Sequence, residues 1–332
     1  MSHVGVMKAA IGIRGIVAER GQRAQGFVTI GETASGPIQF PLVIANGAAD
    51  GPVLCLTAGV HATEYAPVDA VLRIVQSLDT STLRGAVIAV PVVNLRMFDS
   101  RTGFVSPLDG LNLNKVAPGR ADGSISEILA KVLLDEVITC AAYHIDLHAG
   151  DLGEMLLPFV GYALTGKPAL DEQGEALARL YSPKLISLAN ADGKVPPFSD
   201  GISYAATRRG VVSLFAESGG NGTLEAADVQ VHVDGVLNVM RYLRMIDGAL
   251  PTVGPRVSGR DRQVVRATRA GLLRLRVRIG DELVAGQEVA EVCNVFGEVV
   301  ETVRSSGAGI AGLVWAHKVV NTGDPIVRYW IV

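Results

Sequence analysis

Between Pro52 and about Met245 the chain repeats one pattern that narrows its fold more than any other feature. An unbroken apolar run is followed by a glycine-bearing or polar turn, then by a stretch of helical period. The first run, Val53-Leu54-Cys55-Leu56-Thr57-Ala58-Gly59-Val60, lacks the apolar–polar alternation of a half-exposed strand. It reads as a strand buried on both faces, which requires a sheet covered by helices. A helix is expected to start near Pro67, a favoured first-turn residue, with Val68, Val71, Leu72, Val75 and Leu78 on one face. The next strand is expected over 86–93, ending at Asn94, and a loop rich in Gly, Pro and Asn then runs to about Gly123. A helix over about 126–140 follows, with Ser124 as its cap. After it come a strand ending at His148, a long variable region, a strand over 211–217 and a last helix over roughly 226–245. Strands alternating with helices in this way predict an α/β domain with a largely parallel sheet.

Both flanks differ from this middle. Residues 1–46 hold short β-like runs, such as Gly26-Phe27-Val28-Thr29-Ile30 and Ile38-Gln39-Phe40-Pro41-Leu42-Val43-Ile44. Composition shifts at Leu250-Pro251-Thr252-Val253-Gly254-Pro255, which reads as a linker, and beyond it the chain is all short strands and turns. At 332 residues the chain exceeds the usual size of a single core. The expected division is therefore a domain over 1–250 and a β-rich domain over 256–332. Within the tail, residues 271–281 alternate at period two, and Gly280-Asp281 recurs as Gly323-Asp324 after a β run. That recurrence suggests a pseudo-repeated small β sandwich.

Composition removes several classes of function. Apolar residues make up 48 % and charged residues 19 %, yet no stretch reaches the ~18 uninterrupted apolar residues of a membrane helix. A net charge of −3 leaves no basic footprint for nucleic acid. Cys55, Cys140 and Cys293 are few, odd in number and widely separated, which fits a reducing cytoplasm better than a disulfide framework. The N-terminus shows no export signal. The expectation is a soluble cytoplasmic protein with neither nucleic acid nor membrane as partner. Assembly with further copies of itself is left open.

The chemistry concentrates where apolar strands end. His61-Ala62-Thr63-Glu64 follows the first buried strand, and His148 closes Tyr143-His144-Ile145-Asp146-Leu147-His148. In open α/β sheets ligands bind outside the carboxyl ends of strands. Two histidines and one carboxylate are what a catalytic zinc ion takes from a protein, leaving a fourth position for water. Singly, each would read as a satisfied core histidine or a solvated helix-start acid; at two sheet ends together they point to one Zn²⁺ per chain. Period two puts His144, Asp146 and His148 on one face of their strand. His144 lies roughly 13 Å behind the open end at strand rise, so it is read as structural. Asp146, one pleat deeper than His148, is placed to orient that imidazole from behind.

A zinc hydrolase also needs a base for its water and a cation for the oxyanion. Glu217 suits the base, because it ends an apolar strand beside Ser218-Gly219-Gly220, where partial desolvation raises a carboxyl pKa. Arg101, in the loop after Asn94, supplies the cation. Asn112, Asn114 and Lys115 can hold a substrate carboxylate, although Asp109-Gly110 followed by asparagines is also ordinary turn chemistry.

The motifs His61-Ala62-Thr63-Glu64, Ser100-Arg101, Asp109-Gly110-Leu111-Asn112-Leu113-Asn114-Lys115, Asp146-Leu147-His148 and Ala216-Glu217-Ser218-Gly219-Gly220 occur in a specific order. In that order the chain, over roughly residues 25–330, resembles the succinylglutamate desuccinylase/aspartoacylase family, relatives of the zinc carboxypeptidases. The resemblance implies a zinc-carboxypeptidase-like mixed, largely parallel sheet with a small all-β barrel-sandwich domain after it. It also implies His61, Glu64 and His148 as zinc ligands, Glu217 as general base and acid, Arg101 polarising the scissile carbonyl, and Asn114 at the carboxylate anchor. Where the family commonly has arginine, this chain has Lys115, which cannot make the bidentate fork to a carboxylate.

The expected activity is hydrolysis of an N-acyl amino acid or similar small amide. The alternatives are a zinc carboxypeptidase acting on short peptides and an inactive metal-binding protein that uses the β-rich tail for contacts. The tail resembles biotinyl and lipoyl carriers, but Val292-Cys293-Asn294-Val295-Phe296-Gly297 has no lysine to carry a group. It is expected to cover or shape the substrate entrance, with structural support or dimerisation as the alternative, and His317, Tyr329 and Trp330 are read as packing residues.

Overall fold

The computed structural model describes residues 9–181, 185–190, 201–252, 257–259 and 261–331. The described strands of its central sheet lie in the order Val257–Gly259, Leu185–Asn190, Phe159–Leu164, Val212–Glu217, Tyr143–His148, Ala49–Ala58, Arg84–Val90, Gly36–Asn46 and Arg23–Thr33. Val212–Glu217, Tyr143–His148, Ala49–Ala58 and Arg84–Val90 run parallel to one another. Phe159–Leu164 enters antiparallel beside Val212–Glu217, and the Arg23–Asn46 hairpin adds antiparallel at the far edge. The sheet is therefore mixed and largely parallel, with the buried strands at its centre.

Period two divides the first apolar run between two cores. Leu54, Leu56 and Ala58 pack with Val71, Ile74 and Val75 of the Tyr65–Ser77 helix and with Val236 and Val239 of the Ala226–Tyr242 helix. Cys55 turns the other way, into a core with Leu129, Leu133, Val137 and Ile202. Each fully buried leucine here contributes about 1.5–3 kcal/mol of apolar burial.

The elements depart from the sequence expectation at their ends. The helix expected near Pro67 begins at Tyr65, and Leu72 is exposed while Ile74 is buried. The strand expected over 86–93 occupies Arg84–Val90 and stops before Pro91, which lacks a donor for the ladder. Within the expected loop, Leu95–Ser100 is helical, with the Asn94 side chain accepting the Met97 N–H at 3.4 Å. Ser124 stands at the expected helix start, where its N–H donates to the Glu127 carboxylate at 2.8 Å. That helix changes winding: Ile125–Val132 is α, Leu133–Val137 is π and Ile138–Cys140 is 3₁₀. The last helix ends at Tyr242 rather than near Met245. The variable region supplies two sheet strands, the Pro168–Tyr181 and Ile202–Arg208 helices, and a short strand, Glu154–Leu156. Among the described residues no helix is long and apolar enough to cross a membrane.

The part of the expected linker at residues 253–255, the first tail residue and residues 1–8 lie outside the described residues. The tail forms two facing antiparallel sheets. One pairs Asp261–Arg266, Pro325–Ile331, Gly309–Trp315 and Glu282–Leu283; the other pairs Val299–Arg304, Glu288–Cys293, Gly271–Leu275 and Val319–Val320. The strand expected to reach residue 281 stops at Leu275. The repeated Gly-Asp pairs make the same turn: Asp281 accepts the Arg278 N–H and Asp324 accepts the Asn321 N–H, each at 2.7 Å.

Glu154–Leu156 pairs with Gly309–Trp315, so the first sheet of the tail carries a strand of the preceding domain. Leu156, Phe159, Phe215, Leu313 and Trp330 form one buried cluster across this junction. Tyr329 and Trp330 are fully buried, as packing residues should be, whereas His317 is exposed and lies beside Gly153. A methyl group at Gly312 would overlap the Trp330 indole. Gly312→Ala is accordingly expected to destabilise the fold by about 1–3 kcal/mol through overpacking, read as a lower calorimetric midpoint.

Candidate metal centre and cavity

Three adjoining segments bring the site together at the carboxyl edge of the sheet. Ala49–Ala58 leads into a turn through Gly59, whose φ of +66° suits glycine and where an added Cβ would come within 3.1 Å of the Val92 Cα. The turn carries His61 and sets Glu64 just before the Tyr65–Ser77 helix, its carboxylate turned to the histidines rather than to the helix end. Next in the sheet, His148 ends Tyr143–His148, and Glu217 stands level with it on the neighbouring parallel strand.

The Glu64 carboxylate is the centre of the arrangement. His61 Nδ1 lies 2.9 Å from its Oε1, and His148 Nδ1 lies 2.9 Å from its Oε2. The opposite nitrogens face acceptors: His148 Nε2 is 3.1 Å from Asp146 Oδ2, and His61 Nε2 is 3.2 Å from Asn112 Oδ1. Both rings therefore turn Nδ1 toward Glu64 and Nε2 outward, so that Nδ1 is the nitrogen each would offer a metal in place of a proton. The potential ligand atoms of His61, Glu64 and His148 lie within 4.8 Å of one another.

The charges of this cluster agree with its geometry. Burial alone would raise the Glu64 carboxyl, but charge on His148 and His61 outweighs it and holds the group at about 2. Burial would lower His148, yet Asp146 and Glu64 drive it well above its usual value. Protons on the two imidazoles thus neutralise a buried carboxylate, which a dication such as Zn²⁺ would do in their place. Donor types, inward nitrogens and charge demand all fit that ion.

A buried chain of hydrogen bonds stands behind His148. Thr57 Oγ1 donates to Asp146 Oδ1 at 2.6 Å and so accepts from His144 Nε2 at 2.9 Å, while Ser213 Oγ donates to His144 Nδ1 at 2.8 Å. Burial keeps His144 neutral, with a pKa pushed down to about 4. It lies away from the metal cluster and orders Asp146. Asp146→Ala is expected to weaken metal retention by about 10–100-fold, measured by competition with a chromophoric chelator.

Glu217 faces the cluster from a half-buried position. Its Oε2 is shut off from solvent and has no hydrogen-bond partner among the described residues. Burial drives its carboxyl well above the usual range, against the charge of His148 and with the help of Glu64, Glu154 and Asp146. These groups open onto a cavity of about 240 Å³.

The remaining expected residues divide. Lys115, Asn112 and Asn114 line the cavity. Asn112 Oδ1 also accepts the Asn114 N–H at 2.9 Å, and Asn114 Oδ1 accepts the Ile202 N–H at 3.1 Å, so both amides help hold the site's own backbone. Arg101 is exposed, in a left-handed conformation at the end of the Leu95–Ser100 helix, and is not part of the cavity wall. Phe104, three residues on, is part of it and packs edge-on to His61 with ring centroids 5.7 Å apart.

Sequence reasoning missed several residues. Asp151 is fully buried; it accepts the Phe104 N–H at 2.6 Å and the Thr63 hydroxyl, tying the loop to the turn that carries His61 and Glu64. Its place just after the His148 strand was the available signal. Glu154, Phe159 and Phe215 also line the wall, as do Leu313 and Arg328 from the tail. Arg328 was detectable as a lone charge in the apolar run Ile326-Val327-Arg328-Tyr329-Trp330. Nothing in the sequence marked Glu154.

Comparison with known proteins agrees with this architecture. The family model described as the succinylglutamate desuccinylase/aspartoacylase catalytic domain matches residues 50–243, more than half of the chain. The N-alpha-acetyl-L-2,4-diaminobutyric acid deacetylase of Halomonas elongata is 26 % identical over 304 residues, 89 % of this chain and 86 % of that protein. Among solved structures, the product-bound ectoine utilization protein EutE (DoeB) from Ruegeria pomeroyi superposes with a TM-score of 0.84 at 20 % identity, covering 93 % of this chain and 95 % of that one. A succinylglutamate desuccinylase/aspartoacylase from Rhodobacter sphaeroides gives 0.83 at 24 % identity over 93 % and 96 %. These two likenesses are likenesses of fold.

Proposed function

The chain belongs to the succinylglutamate desuccinylase/aspartoacylase family, and from that premise we propose that it is a zinc-dependent deacylase that releases an acyl group from an N-acyl amino acid. The observation that carries this reading is the placing of Glu217. A carboxyl with one oxygen unpartnered and closed to solvent opens onto the same cavity as the His61–Glu64–His148 cluster. A protein that only stored metal would gain nothing from it, whereas a hydrolase needs a base there.

Bound by His61, Glu64 and His148, Zn²⁺ would acidify a water and polarise the carbonyl that the water attacks. Glu217 accepts the proton of the attacking water and delivers it to the leaving amine as the C–N bond breaks. Its raised affinity for protons suits both halves of that transfer. Arg101, exposed in this structure and outside the cavity wall, would have to turn inward from the loop that carries Phe104 to stabilise the oxyanion. Lys115, supported by Asn112 and Asn114, anchors the substrate carboxylate as a point charge rather than a fork. Asp146 keeps His148 oriented throughout.

The cavity suits a small molecule better than an extended peptide. The Halomonas elongata relative is named for an N-acetylated diamino acid, and N-acetyl amino acids are the substrates we place first. The test is metal analysis joined to a hydrolysis screen over acetyl, succinyl and longer acyl amino acids, with short peptides alongside. Turnover of acyl amino acids by protein holding one zinc per chain is expected. Preferential release of terminal residues from peptides would replace this reading with a carboxypeptidase.

A further inference from the structure

Among the described residues four carboxylates line the cavity, and the proposed chemistry employs Glu64, Asp146 and Glu217. Glu154 is left over. It is held firmly: its N–H donates to the Asp151 carbonyl at 3.0 Å, and its own carbonyl accepts the Asn221 N–H at 2.7 Å. Its strand is paired to the tail, with Glu154 opposite Trp315 and Leu156 opposite Leu313. Among the described residues the Glu154 carboxylate nevertheless receives no hydrogen bond and closes no ion pair; burial and the charges of Arg328, Glu64, His61 and Asp151 are what act on it.

A counter-ion for Arg328 would be expected to sit on it. Instead the Arg328 guanidinium stands 5.4 Å from the centre of the Trp315 ring, and its charge reaches Glu154 only at longer range. Glu154 also repels Glu217 across the same cavity. Unlike Glu217 Oε2, its oxygens are not sealed from solvent, so a carboxylate fixed in the cavity wall without a protein donor is open to a donor that a ligand brings. Leu156 and Leu313 line the wall beside it, a surface suited to a short methylene chain rather than a second polar group.

We propose that Glu154 is a specificity residue that receives a cationic amine on the side chain of the substrate, so that the preferred substrate is an N-acyl diamino acid. This inference rests on the deacylase reading for its setting. An ammonium placed there would donate to both carboxylate oxygens and relieve the repulsion with Glu217. Burial has pushed the Glu154 carboxyl up to about 7, so a bound cation would also hold it ionised.

The experiment compares N-acetyl-2,4-diaminobutyrate with N-acetyl-2-aminobutyrate, which differ only in the side-chain amine, on the zinc-loaded protein. Wild type is expected to favour the diamino substrate in kcat/KM by at least about tenfold, the scale of a desolvated charge pair. Glu154→Gln should bring that ratio toward one, and Glu154→Asp, which keeps the charge, should retain part of it and stands in if the Gln variant fails to fold. A ratio unchanged by Glu154→Gln, or a wild type without preference, overturns the inference and leaves the deacylase reading intact. Hydrolysis of neither substrate, nor of any other acyl amino acid, overturns the deacylase reading instead. Calorimetric binding of 2,4-diaminobutyrate to wild type and Glu154→Gln then decides Glu154 separately, equal or absent binding counting against it.

Discussion

Glu217→Gln is expected to leave fold and metal content unchanged and to lower turnover by about 10²–10⁴-fold, the usual reach of a general acid–base group. Glutamine keeps the size of the side chain and can occupy the same place at the end of Val212–Glu217, level with His148. It cannot take a proton from water or return one to an amine. KM should move little if the carboxyl serves the attacking water, as proposed, rather than the parts of the substrate that the cavity holds. Stability should move in the opposite direction from activity. Burial raises the folded pKa of Glu217 far above its value in the unfolded chain. The unfolded chain therefore releases this proton first, and the fold loses stability as pH rises from 4.5 toward the raised folded value. Gln carries no such penalty, so the metal-free variant should melt higher than metal-free wild type at neutral pH, by about 1–2 °C for each kcal/mol recovered. Full activity in the variant would remove Glu217 from the mechanism; lost activity together with lost metal would make it a structural support of the centre.

The site was legible in the sequence because its parts sit at strand ends. A continuous apolar run such as Val53–Val60 can be buried only at the centre of a covered sheet, and the residues just after it must emerge at the edge. His61 and Glu64, His148 and Glu217 each succeed or close such a run, so one rule of sheet geometry brought all four together. Period two within Tyr143–His148 then separated His148 from His144. Glu154 and Arg328 escaped because their positions depend on how Glu154–Leu156 adds to the Gly309–Trp315 strand. That pairing joins residues far apart in the chain and has no local signature. Leu72 shows a different failure. It satisfies helical spacing as well as Val68 and Val71 do, but the apolar stripe covers only part of the helix, and the sheet selected Ile74. Arg101 differs again: its motif is ordered along the chain with the others, while its side chain is exposed in the structure. Order along a chain places a loop near the site without fixing where its side chains point.

Stripping the metal with a chelator is expected to reduce activity to background, with recovery on adding Zn²⁺, and to lower the thermal midpoint by an amount that grows with pH. The loss of activity comes from the donor set; the pH dependence comes from how the cluster carries its charge without a metal. His148 and His61 are both raised above their usual values, chiefly by neighbouring carboxylates that outweigh burial. A histidine raised in the fold contributes stability that is complete below its unfolded value, 6.5 here, and is lost as pH climbs through the folded value. Glu64 works in the other direction: held at about 2 against 4.5 when unfolded, it contributes stability above 4.5 that is lost as pH falls toward 2. The contribution of this cluster to the metal-free fold should therefore be greatest between about 4.5 and 6.5 and weaken above that window, as protons leave imidazoles packed on a buried carboxylate. Bound Zn²⁺ removes the need for those protons, and a ligand at 1,000 times its Kd adds about 4 kcal/mol. Midpoints of the metal-free and zinc-loaded forms should diverge from pH 6.5 upward. His148→Ala should abolish both zinc retention and that divergence. A constant difference across pH, or full activity in thoroughly chelated protein, would show that His61, Glu64 and His148 do not form the metal centre.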